Sequence, residues 1–133
     1  MKKHAITVLR WIGAVVLPFP GAWLASMLCR FSSYIIGPEE SCFECLIESF
    51  ATGASFTLIA YSVAPRKGAI VSTVMGSLMA AFIVFCMGVY WRNVTLLSFI
   101  DQSAVFVGII VGIVSAFEAE KRQTQIENNE RSI

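Results

Sequence analysis

Charged side chains are scarce in this chain, and they are unevenly placed. Aspartate, glutamate, lysine and arginine make up 14% of the 133 residues, whereas a soluble domain usually contains about a quarter. Between Lys67 and Glu118 the only charged residues are Arg92 and Asp101. A soluble domain of this length cannot bury so much apolar surface in one core, because a small domain leaves a large part of its surface exposed to water. The composition therefore predicts an integral membrane protein.

Histidine and long runs of basic residues are also lacking, and this argues against several functions. His4 is the only histidine and stands beside two lysines, so we interpret it as solvated rather than as a metal ligand. The net charge is +1 and no basic cluster exceeds a pair, which argues against a nucleic-acid partner. No Ser–His, Cys–His or paired-acid arrangement indicates catalysis. We therefore expect no cofactor and no metal, and we favour a role other than that of an enzyme.

Four segments are long and apolar enough to cross a bilayer, which takes about 20 such residues in a helix. Two of the three connections are short, so we expect the later segments to be antiparallel neighbours. The predicted fold is an all-α bundle of four transmembrane helices over residues 1–117, with a short outer loop between spans 1 and 2. A polar cytoplasmic tail, residues 118–133, is expected to extend the last helix by a turn or two and then fray. The four spans are approximately 6–29, 46–64, 69–91 and 94–117.

Basic residues predict the direction in which the chain crosses the membrane. Cytoplasmic loops of membrane proteins carry an excess of lysine and arginine. If the amino end is cytoplasmic, eight of the ten basic residues lie inside and only Arg30 and Arg92 lie outside. The pattern predicts that both ends are cytoplasmic, in a multi-pass protein of the cell inner membrane.

Small residues recur every four positions in three of the spans. In lipid, helices associate through such residues, because small side chains let two backbones approach closely. One interpretation is that these stripes pack the helices of a single chain together. The other is that the stripe of span four joins copies into a homo-oligomer. The stripes are Ala104, Gly108, Gly112 and Ala116 in span four, Ser72, Gly76 and Ala80 in span three, and Ser49, Gly53 and Thr57 in span two.

Two prolines interrupt the middle of the first span. Pro18 and Pro20 lack an amide hydrogen, and their rings clash with the preceding helical turn. We expect a kink or a short unwound stretch near Pro18. Broken helices line binding sites in some transporters, although prolines are also common in membrane helices without such a role.

Acidic residues form a pattern on the outer side of the predicted bundle. Glu40, Glu44 and Glu48 are spaced by four, so they line one face of a helix that begins near Pro38. Asp101, followed by Gln102, enters from the same side in span four. Carboxylates inside a bilayer usually face the bundle interior or a water-filled cavity, which favours an ion pathway for cations or protons. Alternatively, the loop acids are solvated, and Asp101 is protonated or hydrogen-bonded to a neighbouring helix.

All four cysteines lie near the outer side on this topology. An even number of cysteines in an oxidising compartment permits disulfides between them. Cys42 and Cys45 form a CxxC motif at the start of a helix, Cys29 ends span one, and Cys86 lies about one turn from the outer end of span three. This arrangement is similar to one feature of the quinone-coupled membrane oxidoreductases that regenerate protein disulfides, whose CxxC also leads into the second of four spans. The resemblance covers only Cys42, Cys45 and the topology, because that family has a second pair in a long loop between spans three and four. Here that loop has two or three residues.

These patterns lead to one preferred function and two alternatives. We favour a small membrane protein that acts as a homo-oligomer or as a subunit of a membrane complex, as a channel or transporter component for cations or protons. The first alternative is a membrane thiol–disulfide oxidoreductase that uses Cys42 and Cys45. The second is a non-transporting accessory or scaffold protein. The expected partners are membrane lipid and either further copies or other membrane proteins.

Overall fold

The computed structural model describes residues 2–36, 42–64, 67–89 and 95–131 of the chain. These residues form five α-helices and contain no β-strand, which confirms the all-helical prediction. Residues 37–41 lie outside the described part, so the predicted helix start near Pro38 is not described. The helices are α1 (Lys2–Val16), α2 (Pro18–Ile36), α3 (Cys42–Val63), α4 (Gly68–Val89) and α5 (Leu96–Arg131).

Three helices, α3, α4 and α5, are long and apolar enough to cross a membrane. Helices α1 and α2 pass the same test when they are taken together as one bent pair. Many large apolar side chains point outward from these helices, among them Leu78, Phe82 and Phe85 of α4, which are 61–67% exposed. An outer surface of this kind is compatible with lipid as the surrounding solvent and indicates a membrane protein.

The bend between α1 and α2 lies where the prolines stand. The two helices meet at Leu17 at an angle of 45°. Pro18 and Pro20 cannot donate to the carbonyl groups one turn earlier, so the regular hydrogen-bond ladder is broken there. The bend is held by packing, because Pro18 is buried and Phe19 contacts Phe56 of α3 edge to face, with ring centres 5.2 Å apart.

Helix α3 packs against all four other helices. Its closest contact is with α5, where a Cβ atom added to Gly53 would collide with the carbonyl oxygen of Val105. On the α5 side, a Cβ atom on Gly108 would collide with the carbonyl oxygen of Phe50, and one on Gly112 with Oγ1 of Thr57. The small-residue stripe of span four therefore faces α3 of the same chain, and its last member, Ala116, is fully buried. This face is filled and is not an outer surface for a second copy.

The stripe of span three also faces inward. Ser72 of α4 is fully buried and donates a hydrogen bond of 3.0 Å to the carbonyl oxygen of Thr57. A Cβ atom on Gly76 would lie 3.0 Å from side-chain atoms of Ile109 and Ile113 in α5. Ala80 is half-buried. Near this three-helix contact, a small apolar core joins α2, α3 and α4 through Ala22, Phe56, Ala60 and Met75.

Helix α5 is longer than the sequence analysis expects. It has 36 residues and is therefore about 54 Å long, compared with about 30 Å for the hydrocarbon layer. The expectation that the tail frays after one or two turns is thus wrong, since the helix continues to Arg131. The tail contains Glu118 four positions before Arg122, a spacing of opposite charges that favours a helix in isolated peptides. Near the start of this extension, the Glu120 carboxylate also accepts a hydrogen bond of 3.0 Å from the amide of Ala69 in α4.

We predict that Gly108→Ala destabilises the protein and that Gly88→Ala does not. The added methyl group at position 108 meets the Phe50 carbonyl, whereas position 88 has open space around it. Overpacking of a close contact usually costs about 1–3 kcal/mol, whereas alanine in an open helix position is favourable by up to about 1 kcal/mol. Thermal unfolding in detergent, monitored by circular dichroism, should show a melting temperature at least about 5 °C lower for Gly108→Ala than for the natural chain. Equal melting temperatures for the two variants would contradict the described α3–α5 contact.

Candidate functional site

A cavity of about 360 Å³ opens at the end of the bundle where α3 and α5 begin. We call it the carboxylate cavity because it contains two acidic side chains, Glu48 and Asp101. It forms here because α2 ends, and α3 and α5 start, at the same end of the bundle. The lining residues are Arg30, Cys45, Glu48, Ser49, Thr95, Leu97, Ser98 and Asp101.

Glu48 is the centre of a small polar network between α2 and α3. Its Oε1 atom accepts hydrogen bonds from the Ser26 hydroxyl and from Nε of Arg30, the latter at 2.8 Å. The Arg30 side chain is 74% exposed, whereas the Glu48 side chain is only 20% exposed. The carboxylate therefore sits in the bundle wall, while the guanidinium group reaches out to the surroundings in the manner of a snorkelling arginine.

The Arg30–Glu48 ion pair is the main feature of this site that the sequence analysis misses. That analysis uses Arg30 only as one charge in the orientation count. A signal was nevertheless present, because Arg30 follows the first span and Glu48 stands one turn inside the second. Both residues stand at the outer ends of consecutive spans and so at a similar membrane depth, where an arginine and a glutamate are natural partners.

Asp101 enters the cavity from α5 and is tied to α3. The Ser49 hydroxyl donates a hydrogen bond to Oδ1 of Asp101. Thr95 stabilises the start of this helix, because its Oγ1 atom accepts a hydrogen bond of 3.3 Å from the amide of Ser98. The position of Asp101 therefore matches the expectation that it is hydrogen-bonded to a neighbouring helix, and it also lines an open cavity.

The predicted acidic pattern is only partly brought together. Glu48 and Asp101 share the cavity, whereas Glu44 and Gln102 are half-buried and do not line it. Glu40 lies outside the described residues. With both carboxylates ionised, the cavity has two negative charges and the one positive charge of Arg30, which leaves a net charge of −1.

Beneath the cavity, the described parts of α3 and α5 are in close contact. One turn below Ser49, Gly53 of α3 is in direct contact with the α5 backbone at Val105. Still deeper, Phe56 and Thr57 are almost fully buried. Among the described residues, the helices of one copy are therefore closed beneath the carboxylates.

The cysteines form no disulfide in the part of the chain that the structure describes. Cys29, Cys45 and Cys86 are all thiols, and Cys45 is exposed and lines the carboxylate cavity. The disulfide hypothesis thus has no support from these three residues. The side chain of Cys42 lies outside the described residues, so the use of Cys42 and Cys45 as a redox pair stays a prediction.

The described side chains also include no cluster of three or more histidine, cysteine or acidic residues that is suited to hold a metal ion. The carboxylate cavity instead offers two carboxylates and several hydroxyl groups. Oxygen ligands of this kind suit hard cations and protons rather than soft metals.

We predict that Ser49 and Asp101 are energetically coupled in folding. The test is a double-mutant cycle with Ser49→Ala and Asp101→Ala. The double variant should lose about 1 kcal/mol less unfolding free energy than the sum of the two single variants, because an interhelical hydrogen bond in a membrane protein contributes about that much. Ser103 is the control, because its hydroxyl bonds to the Phe99 carbonyl of its own helix. The cycle of Ser103→Ala with Asp101→Ala should be additive when unfolding is measured in mixed detergent micelles. An additive Ser49 cycle would show that the hydrogen bond does not join α3 and α5.

No protein family, characterised protein or solved structure matches this chain. The function must therefore be inferred from the chemistry and geometry of the chain itself.

Proposed function

We propose that this chain is a multi-pass protein of the cell inner membrane that takes up a small monovalent cation or a proton in the carboxylate cavity. It works as a homo-oligomer or as a subunit of a membrane complex that moves this ion. The observation that carries the proposal is the meeting of Glu48 and Asp101, which are distant in sequence, in one open cavity.

The energetic argument starts from the environment of the two carboxylates. An acidic side chain at the centre of a membrane helix is unfavourable by about 2.5–3.5 kcal/mol on insertion scales. Glu48 and Asp101 lie near the starts of α3 and α5, so this value is an upper bound for them. Such residues are kept where they pair with other groups or contact a transported ion. Glu48 has a cationic partner in Arg30. The partner found for Asp101 is the neutral Ser49 hydroxyl, so its negative charge is the better candidate for attracting a cation.

The topology proposed for this function has four membrane crossings. The bent pair α1–α2 acts as one crossing, and α3, α4 and α5 each make one. An even number of crossings brings both ends of the chain to the same side. The excess of basic residues at the ends and in the second connection favours the cytoplasm for that side. The carboxylate cavity then opens outward.

Transport across the whole membrane needs more than the described arrangement of one copy. The α3–α5 contact closes the bundle beneath the cavity. An ion bound at Asp101 therefore continues only if the helices rearrange, or if a second chain completes the path. This is why we propose an oligomer or a larger complex, with α4, whose outer face is exposed and apolar, available for contact with another chain.

We predict that Asp101→Asn strongly reduces ion movement without unfolding the protein. Asparagine keeps a hydrogen-bond acceptor for Ser49 but removes the negative charge, so a purely structural role would be preserved. Proteoliposomes with an imposed inside-negative potential should show cation or proton influx, measured with labelled sodium and with an internal pH dye. Asp101→Asn and Glu48→Gln should each lower this influx at least about tenfold, a barrier change of about 1.4 kcal/mol or more.

Glu118→Gln is the matched control for these variants, because Glu118 is exposed on α5 and stands outside the cavity. Its influx should equal that of the natural chain. If the natural chain gives no influx above empty vesicles, it is reconstituted together with any membrane protein that copurifies with it. Influx that Asp101→Asn leaves unchanged in this mixture would favour the accessory or scaffold function.

Labelling of single cysteines tests the proposed orientation. In a variant with Cys29→Ser, Cys42→Ser and Cys86→Ser, the exposed Cys45 should react with a membrane-impermeant maleimide in intact cells. A cysteine placed in the exposed part of α5 by Glu127→Cys, with all natural cysteines replaced, should react only after the cells are permeabilised. The opposite result at both positions would show that the ends of the chain lie outside.

A further inference from the structure

A second polar cavity, of about 430 Å³, lies at the other end of the bundle, where α3 ends and α4 begins. We call it the basic cavity because it contains two cationic side chains, Arg10 and Lys67. From the sequence, these two residues indicated only the orientation of the chain. Tyr61, Gly68, Glu120 and Gln123 also line the cavity.

The backbone holds Lys67 in place at the rim of this cavity. Lys67 has a φ angle of 51°, in the left-handed region that few residues other than glycine and asparagine adopt readily. Its carbonyl oxygen accepts hydrogen bonds from the amides of Ile70 and Val71 at 3.0 and 3.3 Å, which anchors the residue to the first turn of α4. Gly68 then lies against Tyr61, where a Cβ atom would approach the ring to 2.7 Å.

The charges in the basic cavity favour an anion. Arg10 and Lys67 contribute two positive charges, and Glu120 contributes one negative charge. The Glu120 carboxylate is engaged by the amide of Ala69 at 3.0 Å, at the beginning of α4. The cavity thus has a net charge of +1, and Tyr61 and Gln123 add side-chain groups that donate hydrogen bonds.

The position of the cavity indicates that the anion is part of a lipid. Helices α3 and α4 are both candidate spans, and they are joined at this cavity, so it lies at the level of the lipid headgroups. Arg10 is on α1 next to Ile6 and Leu9, whose side chains are 59% and 69% exposed. A ligand that combines an anionic head with apolar chains matches both features.

We infer that the basic cavity binds the phosphate of an anionic phospholipid, with its acyl chains along the exposed apolar side of α1. Basic pockets between membrane helices are general binding sites for such headgroups. Arg10 and Lys67 contact the phosphate, because guanidinium and ammonium groups both form charge-assisted hydrogen bonds with phosphate oxygens. This binding is independent of ion uptake at the opposite end of the bundle.

Native mass spectrometry of the detergent-purified chain tests this inference. The protein is titrated with phosphatidylglycerol and, separately, with phosphatidylcholine of the same chain length. We expect the natural chain to bind phosphatidylglycerol about tenfold more tightly or better. The double variant Arg10→Gln/Lys67→Asn should lose this preference, and asparagine is chosen at position 67 because it tolerates a positive φ angle.

A matched control separates a built site from general attraction between charges. Lys121→Gln/Arg122→Gln removes the same charge from exposed positions of α5 that do not line the cavity, and it should keep the preference. The single variants Arg10→Gln and Lys67→Asn should each weaken the preference, which preserves the test if the double variant does not fold. Circular dichroism without added lipid checks the fold of each variant.

Three results would overturn the inference. The first is equal binding of both lipids by the natural chain, which would mean that Arg10 only snorkels to the headgroup region. The second is an equal loss of preference in the control and cavity variants. The third is complete displacement of phosphatidylglycerol by inorganic phosphate at a similar concentration, which would identify a site for a free anion instead of a lipid.

Discussion

The direct backbone contact between α3 and α5 fixes the two helices that line both cavities of this protein. Gly53, Gly108 and Gly112 carry no side chain, and a methyl group at any of them would collide with the facing helix. Lipid offers no hydrophobic driving force between helices, so close packing of this kind is what holds them together. Because the two helices touch along several turns, their relative register is fixed over their whole shared length.

That register has consequences at both ends of the bundle. At one end it brings Ser49 of α3 to Asp101 of α5. At the other end the length of α5 carries Glu120 to the first turn of α4, which itself lies directly after α3. The molecule consequently has an acidic cavity at one end and a basic cavity at the other. Such an opposition of charge fits a membrane protein whose two sides face different aqueous compartments.

Polar side chains in the bundle are satisfied by short-range partners, as a lipid environment requires. Thr52, Thr57, Ser62 and Thr73 each donate to a carbonyl of their own helix. Between helices, Ser72 reaches the backbone of α3. In the part of the chain that the structure describes, no buried side-chain nitrogen or oxygen lacks a hydrogen-bond partner. The two cavities are therefore places where polar groups face open space, and this is why we assign function to them.

The sequence by itself determined the helical class, the apolar segments, the site of the bend at Pro18 and the candidate packing stripes. These features depend on composition and on spacings of a few residues, which local geometry makes visible. Glu48 and Asp101 were also recognisable, because a carboxylate in an apolar segment stands out wherever it lies. Only the tertiary structure decided that the stripe of α5 faces α3, and that Arg30 pairs with Glu48. It also decided that α5 extends to Arg131, and that Arg10 and Lys67 share a cavity. Apart from the length of α5, those outcomes depend on the rotation and register of helices that are far apart in the chain, and a periodic pattern leaves both free until the helices pack.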